Sequence, residues 1–133
     1  MRTRAFLLPG TLLLPRAWGW MLSVEWGRRR RPFGDLLARL ESIPPRGSRS
    51  VAAERVAAAV RRAYRLSPFR RSCLKESLAT LGLLRSLGYP ARLAIGVKNS
   101  RPPLDAHAWV EIDGIPLGSG PGPYTPLRRV GSN

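Results

Sequence analysis

Residues 72–97 read SCLKESLATLGLLRSLGYPARLAIGV, and residues 105–117 read DAHAWVEIDGIPL. In the first stretch Leu74, Leu78, Leu81, Leu84 and Leu87 recur every three or four residues, the period of one helix face. Ser72 is suited to cap that helix, and Gly88 with Pro90 ends it. Cys73 therefore falls on the first helical turn. After Pro90, Leu93, Ile95 and Val97 alternate through Ala91 to Lys98 as in a half-buried strand. Asn99 to Pro103 then reads as a turn. Asp105 to Asp113 alternates again, setting Ala106, Ala108, Val110 and Ile112 on one face and Asp105, His107, Trp109, Glu111 and Asp113 on the other. Asp113-Gly114 is a hairpin signal leading to a short third strand, Ile115 to Leu117. A helix feeding consecutive antiparallel strands makes the class α+β, with the cysteine at the start of a central helix packed on a small antiparallel sheet.

Toward the amino terminus, Phe33, Leu36, Leu37 and Leu40 predict a short helix over Phe33 to Ser42. Pro44, Pro45 and Gly47 form a loop, from which Ser50 is placed to cap a helix over Val51 to Arg65, ended by Pro68. The chain divides on this reading into an apolar and basic helical region, 1–49, and a core, 50–133, whose Gly-, Pro- and Ser-rich tail from Gly118 to Asn133 is expected to be irregular. Arg2 and Arg4 before the apolar run Ala5 to Leu14 imitate a signal peptide. Pro9, Gly10 and Pro15 break that run, however, and no small-x-small cleavage site follows cleanly. The expectation here is a pair of short apolar segments carrying Trp18, Trp20 and Trp26, which cover the core or present a docking surface.

At 133 residues the length suits one small domain with a single core. The outlier is charge: 23 Lys and Arg against 8 Asp and Glu leave +15. That imbalance favours acidic partners or surfaces without specifying the fold. No zinc-finger spacing, basic heptad region or RNP-type strand is present, so no specific nucleic-acid binding is expected. Arg16 and the Arg28 to Arg31 cluster interrupt any membrane-length span, which leaves contact with a membrane face open without making it the expected role. With one Cys and one His there is neither an internal disulfide nor a Cys/His zinc set, and no cofactor is called for. A free thiol fits a cytoplasmic location.

Unpaired N–H groups and the dipole at a helix start favour negative charge, hence the thiolate form of Cys73. The same N–H groups are placed to stabilise an oxyanion. The only histidine, His107, lies on the polar face of a strand where the fold can bring it to that helix start as a general base. Either residue alone is more often structural than catalytic. Their joint placement points to nucleophilic catalysis.

CLKESLATLGLLRSLGYPARLAIGV followed by AHAWVEIDGIPL resembles the leader-peptidase (B) proteins of lasso-peptide biosynthesis, over roughly Ser72 to Leu117. The resemblance implies a papain-like or transglutaminase-like core in which Cys73 attacks the bond joining leader to core in a ribosomal precursor peptide and His107 acts as base and acid. It also implies a small leader-binding protein and an ATP-dependent lasso cyclase as partners. The family's third catalytic residue is an Asp about a dozen residues after the histidine, where this chain reads Gly118, Ser119 and Gly120. Asp113 is the candidate orienting acid in its place, with Asp105, Ser119, a backbone carbonyl or water as alternatives. The missing Asp also leaves open a non-catalytic adaptor that binds the leader or the cyclase, and the wider class allows transamidation or deamidation.

Overall fold

Four helices and four strands follow one another among the residues described by the computed structural model, which are 13–47, 49, 51–98, 105–118, 122 and 124–129. The order is α1 (Leu13–Arg30), α2 (Phe33–Glu41), α3 (Ala53–Arg65), α4 (Cys73–Ser86), β1 (Ala91–Val97), β2 (Ala106–Ile112), β3 (Ile115–Pro116) and β4 (Thr125–Arg129). The class is α+β, as expected.

The central helix is α4, which touches α1, α2, α3, β1 and β2. Its leucines do more than line one face: Leu78, Leu81, Leu83 and Leu84 are all fully buried. A helix covered on every side needs apolar residues all round, and the run Leu78–Ala79–Thr80–Leu81–Gly82–Leu83–Leu84 supplies them. Gly82 marks the tightest approach. A Cβ there would lie 2.5 Å from the Trp20 ring, so the missing side chain is what lets α1 lie against α4.

The amino-terminal expectation is corrected. Residues 1–12 of the expected apolar segments lie outside the described residues, and from Leu13 one 18-residue helix runs unbroken through Pro15 and Arg16 to Arg30. Pro15 occupies the third helical position, where no intrahelical acceptor is available for an N–H, so it does not break the helix. Leu13, Ala17, Met21 and Val24 then form a single buried stripe. Arg28, Arg29 and Arg30 occupy the last turn, where cations oppose the helix dipole favourably. The other face leaves Leu22 and Trp26 exposed, with the Arg30 guanidinium 4.3 Å from the Trp26 ring centroid.

α3 starts at Ala53, two residues later than expected, with Ala52 at the cap position and no side-chain cap. Val51 is instead drawn into the core, and its carbonyl accepts from the Tyr89 hydroxyl at 2.9 Å. Ser50 lies outside the described residues, as does the expected turn from Asn99 to Pro103.

The strands form one antiparallel sheet in the order β3-β2-β1-β4. β4 corrects the expectation of an irregular tail. It pairs with β1 from Val97↔Thr125 to Ala94↔Arg129, with a register shift between Ile95 and Gly96. β4 thereby pairs the backbone donors and acceptors of β1 that face away from β2. Pro126 is compatible because β4 is itself an edge strand, where a missing N–H is tolerated.

Candidate active site at the start of α4

Ser72 has the extended backbone of an N-cap, and its hydroxyl accepts from the Lys75 N–H at 3.1 Å. Cys73 is consequently the first residue of α4, and its thiol is exposed. The first backbone bond of the helix runs from Glu76 N–H to the Ser72 carbonyl at 3.0 Å, so the Cys73 and Leu74 N–H groups precede the intrahelical ladder.

Side chains from other elements hold this turn. The Lys75 ammonium, 3.0 Å from Glu25 of α1, also donates to the Arg70 carbonyl at 3.0 Å. Glu25 accepts a longer bond, 3.5 Å, from the buried Tyr64 hydroxyl of α3. Burial, and next the negative charge of Glu25, push the Tyr64 phenol well above its ordinary value of 10.0. One turn past the thiol, the Ser77 hydroxyl donates to the Ala108 carbonyl at 3.2 Å. That bond joins α4 to β2 next to His107. Glu76, whose charge would oppose a nearby thiolate, is engaged by Arg71 at 2.9 Å.

Cys73 and His107 line the same cavity, of about 150 Å³. Arg61 of α3 lines it as well, as do Leu117 and Gly118 beyond β2. His107 pairs with Gly96 across β1. The Trp109 ring lies over that glycine, where a Cβ would meet the indole at 3.0 Å and the Thr125 carbonyl at 2.9 Å. The imidazole in turn sits 5.9 Å from the Trp109 ring and 5.1 Å from the Tyr124 ring, centroid to centroid. The Tyr124 hydroxyl donates to Asp105 Oδ1 at 3.1 Å. Desolvation first, then the Asp105 bond and negative charge at Asp105 and Cys73, raise the Tyr124 phenol above its ordinary value.

The strand face expected to be polar is thus partly interior. Trp109 and Glu111 are buried, and the indole N–H donates to the Glu111 carboxylate at 3.0 Å. Asp113 is not brought to His107. It occupies the β2–β3 turn with φ +53° and lines a different cavity with Arg92 and Pro90. It lies six residue steps along the chain from His107, about 20 Å at roughly 3.3 Å per residue. The same strand alternation that sets two residues on one face also carries them apart along it. Asp105 lies at the histidine end of β2, joined to Tyr124, and Ser119 lies outside the described residues.

Sequence reasoning passed over Tyr124, which sat in the stretch taken as irregular, and Glu25, the one acid in a helix of Leu, Trp and Arg. Ser77 was accessible by helical spacing, four residues from Cys73 and on the same face. Among the described residues no group of three or more His, Cys, Asp or Glu side chains could hold a metal ion. No described helix is long and apolar enough to cross a membrane.

A thiol at a helix start, sharing a cavity with an imidazole on an antiparallel sheet, gives this α+β fold the layout of a thiol–imidazole site. The sequence matches the transglutaminase-like superfamily over residues 18–132, most of its length, and the chain belongs to that superfamily. No curated protein and no solved structure matches it.

Proposed function

We propose that the chain is a cysteine peptidase that removes the leader from a ribosomally made lasso-peptide precursor. The observation that carries the catalytic part is that the only cysteine and only histidine of the sequence line one cavity, with the cysteine at a helix start. The Cys73 thiolate attacks the scissile carbonyl carbon, and first-turn N–H groups stabilise the oxyanion. The tetrahedral intermediate collapses as the C–N bond breaks, and His107 gives its proton to the leaving amine. Water, deprotonated by His107, then hydrolyses the thioester and restores the thiol. The substrate assignment rests on the sequence resemblance described above. It brings with it a small leader-binding protein that presents the precursor and an ATP-dependent cyclase that receives the cut product.

The test is mass spectrometry of precursor peptide incubated with the protein and its leader-binding partner. Release of intact leader by the wild type, abolished in folded Cys73→Ala and His107→Ala, is the expected result. Cutting that survives either substitution sinks the reading. Glutamine-dependent ammonia release in place of peptide cutting would reassign the same pair to transamidation or deamidation.

A second reading, a non-catalytic adaptor, is favoured by one surface. Exposed Leu22 and Trp26 form a groove with Phe69, bordered by Arg29. Peptide binding there that is unchanged in Cys73→Ala, with no cutting under conditions where the complex forms, is its signature.

A further inference from the structure

We infer that Tyr124, held by Asp105, is the positioning residue for His107 and fills the orienting role for which the sequence offers no carboxylate beyond Asp113. The inference rests on the Cys73–His107 reading above and adds the element that holds the imidazole in place.

A base on a strand must be fixed in ring plane as well as location, because a proton is exchanged only along the plane of the imidazole. An orienting carboxylate does this by accepting from one ring nitrogen. Here the constraint comes from ring faces. Trp109 lies on one neighbour position with an interplanar angle of 28°, and Tyr124 on another at 34°. Both partners are themselves held. The Trp109 indole N–H donates to buried Glu111 at 3.0 Å, and its ring rests over Gly96, where a side chain would collide with it. The Tyr124 hydroxyl donates to Asp105 at 3.1 Å, a bond strengthened by the acceptor's charge.

The backbone fixes the arrangement from both directions. Tyr124 immediately precedes β4, whose Thr125 pairs with Val97 of β1, and Asp105 immediately precedes β2. The Asp105 carbonyl accepts from Lys98 N–H at 2.9 Å, extending the β1–β2 ladder to the residue that holds the phenol. The phenol ring, 5.1 Å from the imidazole, thereby joins the imidazole to the anchored Asp105. An aromatic face also attracts the cationic imidazolium that forms when the thiol gives up its proton.

Cys73 is the only thiol, so its alkylation by iodoacetamide at neutral pH reports the thiol–imidazole pair without any substrate. The experiment measures that rate, with thermal unfolding of each protein as a folding check, in wild type, His107→Ala, Tyr124→Phe, Tyr124→Leu and Asp105→Ala. Loss of ring orientation should slow Tyr124→Leu about 10-fold or more, since small misplacements of a reacting group cost up to about 100-fold. Tyr124→Phe keeps the ring and loses only the anchor, so a drop of about threefold is expected, the scale of one net hydrogen bond at the low end. Asp105→Ala should match Tyr124→Phe, and combining the two should add nothing further.

The pH profile of alkylation supplies a readout that a merely structural role would not move: in Tyr124→Leu, which loses the ring face that favours the imidazolium, the acid limb should move to higher pH, and in Tyr124→Phe, which keeps the ring, it should stay in place. A folded Tyr124→Leu protein with the wild-type alkylation rate and pH profile, alongside a slow His107→Ala, overturns the role of Tyr124 and leaves the catalytic pair standing. Unchanged alkylation in His107→Ala would instead remove the pair on which the inference rests.

Discussion

Near its start α4 is tied to α1 by a side-chain ion pair, through that pair to α3, and to a β2 carbonyl by its own Ser77, whereas at its last turn one arginine grips backbone carbonyls. Lys75, Glu25 and Tyr64 join α4 to α1 and α3 beneath the thiol, and Ser77 joins it to β2. At the other end Arg85 donates to the Ile43 carbonyl through Nε and to the Ala91 carbonyl through a terminal nitrogen, each at 2.8 Å. Its surroundings strip solvent from the guanidinium, and this desolvation lowers its pKa from the ordinary value while Glu41 opposes the shift. The difference separates two tasks. Carbonyl-gripping at the far end closes the fold around α4, while charged contacts at the near end set where the helix begins, and therefore where Cys73 sits.

The largest expected effect comes from breaking the near end. Glu25→Ala leaves the Lys75 charge in a largely buried position without its carboxylate, at a cost of about 3–5 kcal/mol. Denaturant unfolding measures it, and in the folded fraction alkylation of Cys73 should slow, because Lys75 lies two residues along the same turn. Arg85→Ala loses two bonds from a charged donor and should cost about 2–3 kcal/mol. Its alkylation rate should stay at the wild-type value, since the change is a full helix length from the thiol. Equal slowing in the two folded variants would show that the near end has no special hold on the site.

Ser77→Ala sharpens the comparison on a smaller scale. It removes one hydrogen bond and leaves the Ala108 carbonyl short of a partner, for about 1–2 kcal/mol of stability. Because Ala108 follows His107 directly, turnover should fall by more than this small stability loss suggests, with substrate affinity little changed. Steady-state kinetics that show KM rising while kcat holds would place Ser77 in substrate binding rather than in spacing α4 from β2.

These contacts also mark how far the sequence could be read. α4, β1 and β2 were legible because their periodicities are strong and their ends carry Ser72, Gly88 and Pro90. Element types placed Cys73 at a helix start and His107 on a strand, while the cavity they share required the fold itself. α1 was misread because Pro15 and the arginines look like interruptions until Pro15 is placed in the first turn and the arginines in the last. β4 was missed because Gly, Pro and Ser mark turns, whereas an edge strand is stabilised by the neighbour it pairs with, here β1, which no local window contains. Asp113 was misplaced for a related reason, since sharing a strand face says nothing of distance along the strand. The Tyr124–Asp105 contact joins residues 19 apart through β1, a link only the sheet order reveals.

The smallest effect at neutral pH belongs to Tyr64, and it grows in alkali. Its folded pKa is raised above 10.0, chiefly by burial and then by Glu25. The native state therefore keeps a proton that the unfolded chain releases as pH rises past 10. Stability from this group is fully present below pH 10 and declines above it, by up to about 1.4 kcal/mol per pH unit while the two states differ by one proton. Tyr64→Phe has no phenol to titrate. At pH 8 it should lose no more than about 1 kcal/mol, since the bond it gives up is long. Between pH 10 and 11 its stability should fall less steeply than wild type, so that the two curves converge. Parallel alkaline limbs in denaturant unfolding would mean that Tyr64 is not the group responsible, and would turn attention to the Glu25–Lys75 pair beside it.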